Sequence, residues 1–230
     1  MRCKVRCPPG DEIYRDDKVS MFEFDAKQQK VYTENLGYIA RLFLDHKNLA
    51  VELDAFYFYI LCERKADGYY IVGYFSKQKD TSEKERSENN LSCIMVFPNV
   101  QRAGYGKFLI DFSYSLSILE ERTGSPEKPL SDLGHKTYVS YWTHKVLNLL
   151  LDNPKKELSI SEISQATSIT PVDIQYVLES YEILRCHQGK YYFYTDSTYL
   201  RKILSKMGHP GRPVQRELIH WVPQIPPKPQ

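Results

Sequence analysis

Residues 91–106 constrain the fold most tightly: a short, nearly all-apolar run, LSCIMVF, leads through Pro98-Asn99-Val100 into Gln101-Arg102-Ala103-Gly104-Tyr105-Gly106. An apolar run of this length bounded by turn residues predicts a buried strand, Leu91–Phe97. Beyond the glycines, Phe108, Leu109, Phe112, Leu116 and Leu119 share one face and predict a helix over Lys107–Glu121. Two glycines let the backbone turn tightly and leave successive N–H groups unobstructed. The positive end of the helix dipole behind them suits the turn to a pyrophosphate. The glycine spacing alone is a weak signal, because a tight strand-to-helix turn with no ligand looks the same. The dinucleotide-binding version fits poorly, since the third glycine is absent and the turn follows a late strand. The P-loop version lacks its Gly-Lys-Ser/Thr ending.

Around this unit the pattern predicts strands Val19–Asp25 and Lys30–Thr33, joined as a hairpin through Ala26–Gln29. Leu36, Ile39, Ala40, Phe43 and Leu44 predict a helix over Asn35–Asp45. Strands Ala55–Glu63 and Tyr69–Ser76 follow, turning at Ala66-Asp67-Gly68, and then KQKDTSEKERSENN reads as an exposed loop. Strands interleaved with helices predict an α/β (α+β) core with a mixed central sheet over residues 1–135.

Residues 136–205 differ in character. Ser140–Leu151 is an amphipathic helix, Ser159-Ile160-Ser161-Glu162 is a capping box opening a second, and Thr170-Pro171 caps a third. In that third helix Ile174, Val177, Leu178 and Tyr181 form the apolar face. Two β-like runs, Ile183–His187 and Tyr191–Thr195, complete a winged-helix-like region. The last 21 residues hold six of the 13 prolines, so 206–230 reads as an extended tail.

Composition excludes several functions. The 31 Lys+Arg and 29 Asp+Glu nearly cancel, which gives no general case for nucleic-acid binding. The third helix carries Asp173, Glu179 and Glu182 and no Lys or Arg, so it would be repelled from a major groove. No strong sequence-specific DNA binding is expected. No apolar run approaches a membrane span, and the first residues lack a signal-peptide core. Five scattered cysteines fit a reduced, intracellular protein.

The turn QRAGYG preceded by LSCIMVFPNV is similar to the acetyl-CoA motif of the acetyltransferase superfamily, in the form found in the MYST family of histone acetyltransferases. The resemblance extends over nearly the whole chain: PPGDEIYR at 8–15, FLDHKNL at 43–49, IVGYFSK at 71–77, GSPEKPLSDLG at 124–134, YVSYW at 138–142 and SITPVDI at 168–174. It implies a GNAT-like core that binds acetyl-CoA. The backbones of Ile94, Met95 and Val96 would face the acetyl-pantetheine arm. Those of Gln101, Arg102, Ala103, Gly104, Tyr105, Gly106 and Lys107 would face the pyrophosphate, with Ser131 and Ser140 near the cofactor.

A lysine amine must lose a proton before it attacks a thioester, and near pH 7 only roughly one amine in 2,500 is neutral. A positioned carboxylate that takes this proton is worth about 10²–10⁴ in rate. Glu127, stiffened between Pro126 and Pro129, is the candidate. Spacing alone would make it a solvated surface residue; the resemblance makes it the general base. Cys93 by position is a buried structural cysteine; the resemblance sets it beside the thioester. Lys47 by position is a solvated lysine at a helix end; the resemblance makes it an autoacetylated lysine at the substrate groove. His46 reads as structural.

The pattern breaks at the start. MYST domains open with a Cys-Cys-His-Cys zinc finger just upstream of a His-Pro-Pro-Gly stretch; here Cys3 falls where the last finger ligand would be, Cys7 replaces that stretch's histidine, and these two cysteines alone cannot complete a structural site. Either the finger is lost or the chain is cut short, and no metal is expected. The expected function is acetyl transfer to lysine side chains of histone tails, in the nucleus and among chromatin-complex subunits. The alternative is a catalytically silent winged-helix scaffold. A small-molecule N-acetyltransferase would not explain FLDHKNL or SPEKPLSDLG.

Overall fold

The computed structural model describes residues 6–42, 53–80, 86–154 and 158–224. Its centre is a five-stranded antiparallel sheet. The strands are β1 (Asp11–Arg15), β2 (Val19–Asp25), β3 (Phe56–Lys65), β4 (Gly68–Gln78) and, on the far edge, β6 (Cys93–Val96). Alternation assigns the faces. Phe22, Phe24, Phe58, Ile60 and Cys62 turn to one side, packed by Leu36 and Ala40 of α1 (Lys30–Arg41). Met21, Tyr59, Leu61 and Phe75 turn to the other, packed by Phe108, Leu109, Phe112 and Leu116 of α2 (Tyr105–Leu119). Tyr59 and Phe75 stack there with ring centroids 4.5 Å apart.

α2 is buried almost all round because its opposite stripe, Ile110 and Tyr114, packs on α3 (Asp132–Asp152). Ser113, Ser115 and Ser117 within it donate their hydroxyls to carbonyls of the preceding turn, which satisfies them without water. The Ile110–Tyr114 stripe belongs to a second core. It gathers Trp142, Val146 and Leu147 with Ile163 of α4 (Ile160–Thr167), Ile174 and Leu178 of α5 (Pro171–Ser180), and Leu200 of α6 (Ser197–Lys206). A hairpin, β8 (Leu184–His187) and β9 (Lys190–Phe193), separates α5 from α6.

The α/β class stands, with corrections of detail. The five-stranded sheet is wholly antiparallel. Its parallel component is separate, a short pair between β5 (Asn89–Leu91) and β7 (Ser125–Pro126). The expected strand Leu91–Phe97 is therefore two strands parted at Ser92. Lys30–Thr33 is the first turn of α1 rather than a hairpin strand: Thr33, Leu36 and Ala40 bury one helical face, and the Thr33 hydroxyl donates to Gln29 O at 2.9 Å. The polar stretch from Lys77 is not a free loop at its ends. Lys77 belongs to β4 and is buried in an ion pair with Glu120, Arg122 reaches Asp80 at 3.3 Å, and Asn90 is buried in β5. α3 begins at Asp132, about two turns before the expected Ser140, because the Ser131 hydroxyl caps it by accepting from Gly134 N at 3.1 Å. α6 had no expected counterpart.

After α6 the chain returns across the molecule. The Ser140 hydroxyl donates to Met207 O at 3.1 Å, and Val214 N donates to the Asp111 carboxylate at 2.9 Å. Ile219 forms a bridge to Tyr14 in β1, and His220 N donates to Ile13 O at 2.8 Å.

Candidate active site

The site lies along the free edge of β6. Phe97 N–H bonds inward to Val72 O at 3.0 Å, and alternation then turns the backbone groups of Ile94 and Val96 outward, away from β4. The Gln101 side-chain amide meets Val96 O on that edge at 3.2 Å. Met95 points its side chain into the α1-side core, while Ile94 and Val96 pack toward α2.

Arg102 (φ 64°) and Gly104 (φ 91°) take left-handed backbone conformations and reverse the chain into α2. Gly104 is the N-cap residue. A Cβ built there would meet nothing within 4 Å, so the space in front of the turn is open. At Gly106 a Cβ would come to 3.8 Å from both Val96 Cγ2 and Thr137 Cγ2, which makes Thr137 of α3 the facing wall. The first intrahelical backbone bond is Phe108 N–H to Gly104 O, so the N–H groups of Tyr105, Gly106 and Lys107 point out of the helix end. This open cradle fits a pyrophosphate and its pantetheine arm.

The charged groups around the cradle are held by the fold. The Tyr105 hydroxyl donates to Glu63; burial, then that carboxylate, raise the phenol's pKa well above its ordinary value. Lys107 Nζ donates to His209 O at 2.6 Å, and burial lowers its pKa. Arg102 and Ala103 are exposed.

Glu127 reaches the start of β6 through the parallel pair. Pro126 registers with Leu91, and Glu127 N donates to Leu91 O at 2.8 Å. Cys93 is two residues from Leu91, so at most ~7 Å of chain separates that bond from the start of β6. The Glu127 side chain is exposed, and Cys93 is free and half-buried, with its N–H donating to Ser76 Oγ at 3.2 Å. Glu127 thus meets the chain just before Cys93, and Ile94, Val96 and then the glycine turn follow from there along the chain. Ser131 caps α3 at the same end, whereas the Ser140 hydroxyl is committed to Met207 O. Lys47 and His46 lie outside the described residues, as does Cys3; Cys7 is exposed. Sequence reading missed Thr137 and the segment Met207–Gly211, which reach the cradle only through tertiary packing.

The MOZ/SAS family model matches residues 7–219. The chain is 46% identical over 222 residues to histone acetyltransferase of the MYST family 2 from Arabidopsis thaliana, covering 96% of this chain and 49% of that protein. It is 41% identical over 221 residues to histone acetyltransferase ESA1 from Yarrowia lipolytica, covering 96% of this chain and 46% of that protein. The Saccharomyces cerevisiae ESA1 is 41% identical over 224 residues, with 97% and 49% covered. The chain spans about half the length of these curated relatives. It belongs to the MOZ/SAS family.

Proposed function

We propose that this chain is the catalytic domain of a lysine acetyltransferase that takes its acetyl group from acetyl-CoA and acts on histone tails in the nucleus, among chromatin-complex subunits. The observation that carries the reading is the Glu127 N–H to Leu91 O bond, which brings a carboxylate loop to the start of β6, the strand that leads into the glycine turn. When bound, acetyl-CoA supplies an activated thioester. The chain's own groups do the rest. The outward N–H groups of Tyr105, Gly106 and Lys107, at the positive end of α2, hold the pyrophosphate. The outward backbone groups of Ile94 and Val96 orient the arm along β6, with Ser131 at the start of α3 beside it. Glu127 accepts the proton of the incoming lysine ammonium. Cys93 lines the site and is not required as a nucleophile. By its LDHK motif, Lys47 is the lysine expected to be autoacetylated.

Glu127→Gln keeps shape and removes the base. Turnover on histone peptides near neutral pH should fall by at least 10²-fold and recover in part at high pH, where more amine is neutral. Cys93→Ala should keep substantial activity. Single-turnover rates across pH decide this: a near-dead Cys93→Ala with normal cofactor affinity, together with a trapped acetyl-cysteine, would reverse the assignment. Gly104→Asp should weaken acetyl-CoA binding at least tenfold by calorimetry, about 1.4 kcal/mol. Unchanged affinity in the folded variant would remove the cradle.

A further inference from the structure

Residues 128–130 also line a cavity of about 610 Å³. Its walls include Pro129, Leu130 and Trp142 from the loop and α3, and Val172 and Tyr176 from α5, with Lys136 among its polar residues. On the α3 helix, Asp132, His135 and Trp142 of this wall fall on a different face from Thr137, which looks toward the cradle. The cavity is therefore distinct from the cofactor groove.

Two cross-links hold its shape. Lys128 Nζ pairs with the almost fully buried Asp173 carboxylate at 3.1 Å, and the Thr170 hydroxyl donates to that same carboxylate at 2.7 Å. On the other flank the Tyr176 hydroxyl and His135 Nε2 lie 3.2 Å apart. Both tie the loop and α3 to α5, so the apolar walls are preformed. Val172 remains 70% exposed and Tyr176 43%, which is unusual for an apolar pair facing a built concavity.

What occupies it follows from continuity with the proposed base. Lys128, Pro129 and Leu130 line the cavity and follow Glu127 directly, so their backbone lies within about 11 Å of it. An extended chain covers that distance in about three or four residues. We propose that this cavity is a substrate subsite, which takes an apolar side chain lying within four residues of the target lysine in the protein substrate. The proposal rests on the acetyltransferase reading and adds its specificity determinant: Pro129, Leu130, Trp142 and Val172 receive the side chain, while Lys136 and Asp132 favour a neutral flank over a charged one.

The test uses Val172→Arg, chosen because Val172 is exposed and outside the cofactor cradle. The probes are lysine peptides in which each position within four of the lysine is varied among Leu, Gly and Asp. Wild type should prefer Leu at one such position, by about tenfold in KM and in Kd measured by fluorescence anisotropy. Val172→Arg should erase that preference and raise KM for the Leu peptide about tenfold, with kcat, acetyl-CoA affinity and melting temperature little changed. Its effect and that of the Leu→Gly peptide change should not add, since both remove the same contact. Equal flank preferences in wild type and a folded Val172→Arg overturn the subsite and leave the acetyltransferase reading intact. A wild type that binds acetyl-CoA but acetylates no lysine peptide overturns that reading, and the subsite with it.

Discussion

His144 sits on α3, nearly buried, with Nε2 3.1 Å from Gly208 O. Burial lowers its pKa below 6.5, and the nearby charges of Lys107 and His209 act in the same direction, while the Gly208 carbonyl opposes them. The folded chain thus binds this proton more weakly than the unfolded chain. Its contribution to stability should fall as pH drops through and below 6.5, and the deficit is complete once the folded pKa is passed. His144→Asn should therefore lose less stability than wild type between pH 7 and 5 in urea titrations. Equal losses would show that the imidazole is not the source. Lys77 makes a different case, because burial lowers its pKa while Glu120 opposes that shift by holding the charge. Lys77→Met leaves Glu120 with Arg122 alone and should cost about 2–3 kcal/mol by denaturant unfolding. Nothing in the sequence around Lys77 distinguished it from its solvated neighbours, since its partner is 43 residues away. Gly104 was legible, because the need for a positive φ at a strand-to-helix turn is written in the residue type itself.

Elements followed the same division between local and distant causes. α4 and α5 were readable because their caps are local. Ser159 and Glu162 form the reciprocal capping box, and Thr170 Oγ1 accepts from Asp173 N. Ser159→Ala should cost about 1 kcal/mol in thermal unfolding; a change under a few tenths would mean the α4 start is held by packing instead. The Ser92 break was not readable, because it depends on β5 leaving the β6 line to pair with β7, some 35 residues later. That same distant pairing delivers Glu127, so the family resemblance could point to this carboxylate where spacing could not. α1 was misread at its start because Val31-Tyr32-Thr33 has strand-like side chains, and burial of Thr33 and Leu36 on one helical face overrode that preference.

For the whole molecule, the segment beyond α6 matters most. It runs beside the cradle at Met207–Gly211, inserts Val214 against Asp111, and crosses the sheet, where Trp221 Nε1 donates to Glu23 and Lys77 Nζ lies 5.6 Å from the Trp221 ring centroid. Burial already raises the Glu23 pKa, with the Trp221 bond working against it. Trp221→Ala should therefore cost about 2–3 kcal/mol in equilibrium unfolding, by uncovering apolar surface and stripping a donor from that carboxylate. Proline content marked this stretch as non-helical but could not show what lies beneath it. The bridge between Tyr14 and Ile219 also has a consequence in time. A ribosome adding about 5–20 residues per second takes on the order of 10–40 s to travel from β1 to the segment that covers it. Throughout that interval the outer edge of β1 is an unpaired strand on a nascent chain, a ready template for another chain. The outer edge of the sheet is closed only when Ile219 arrives.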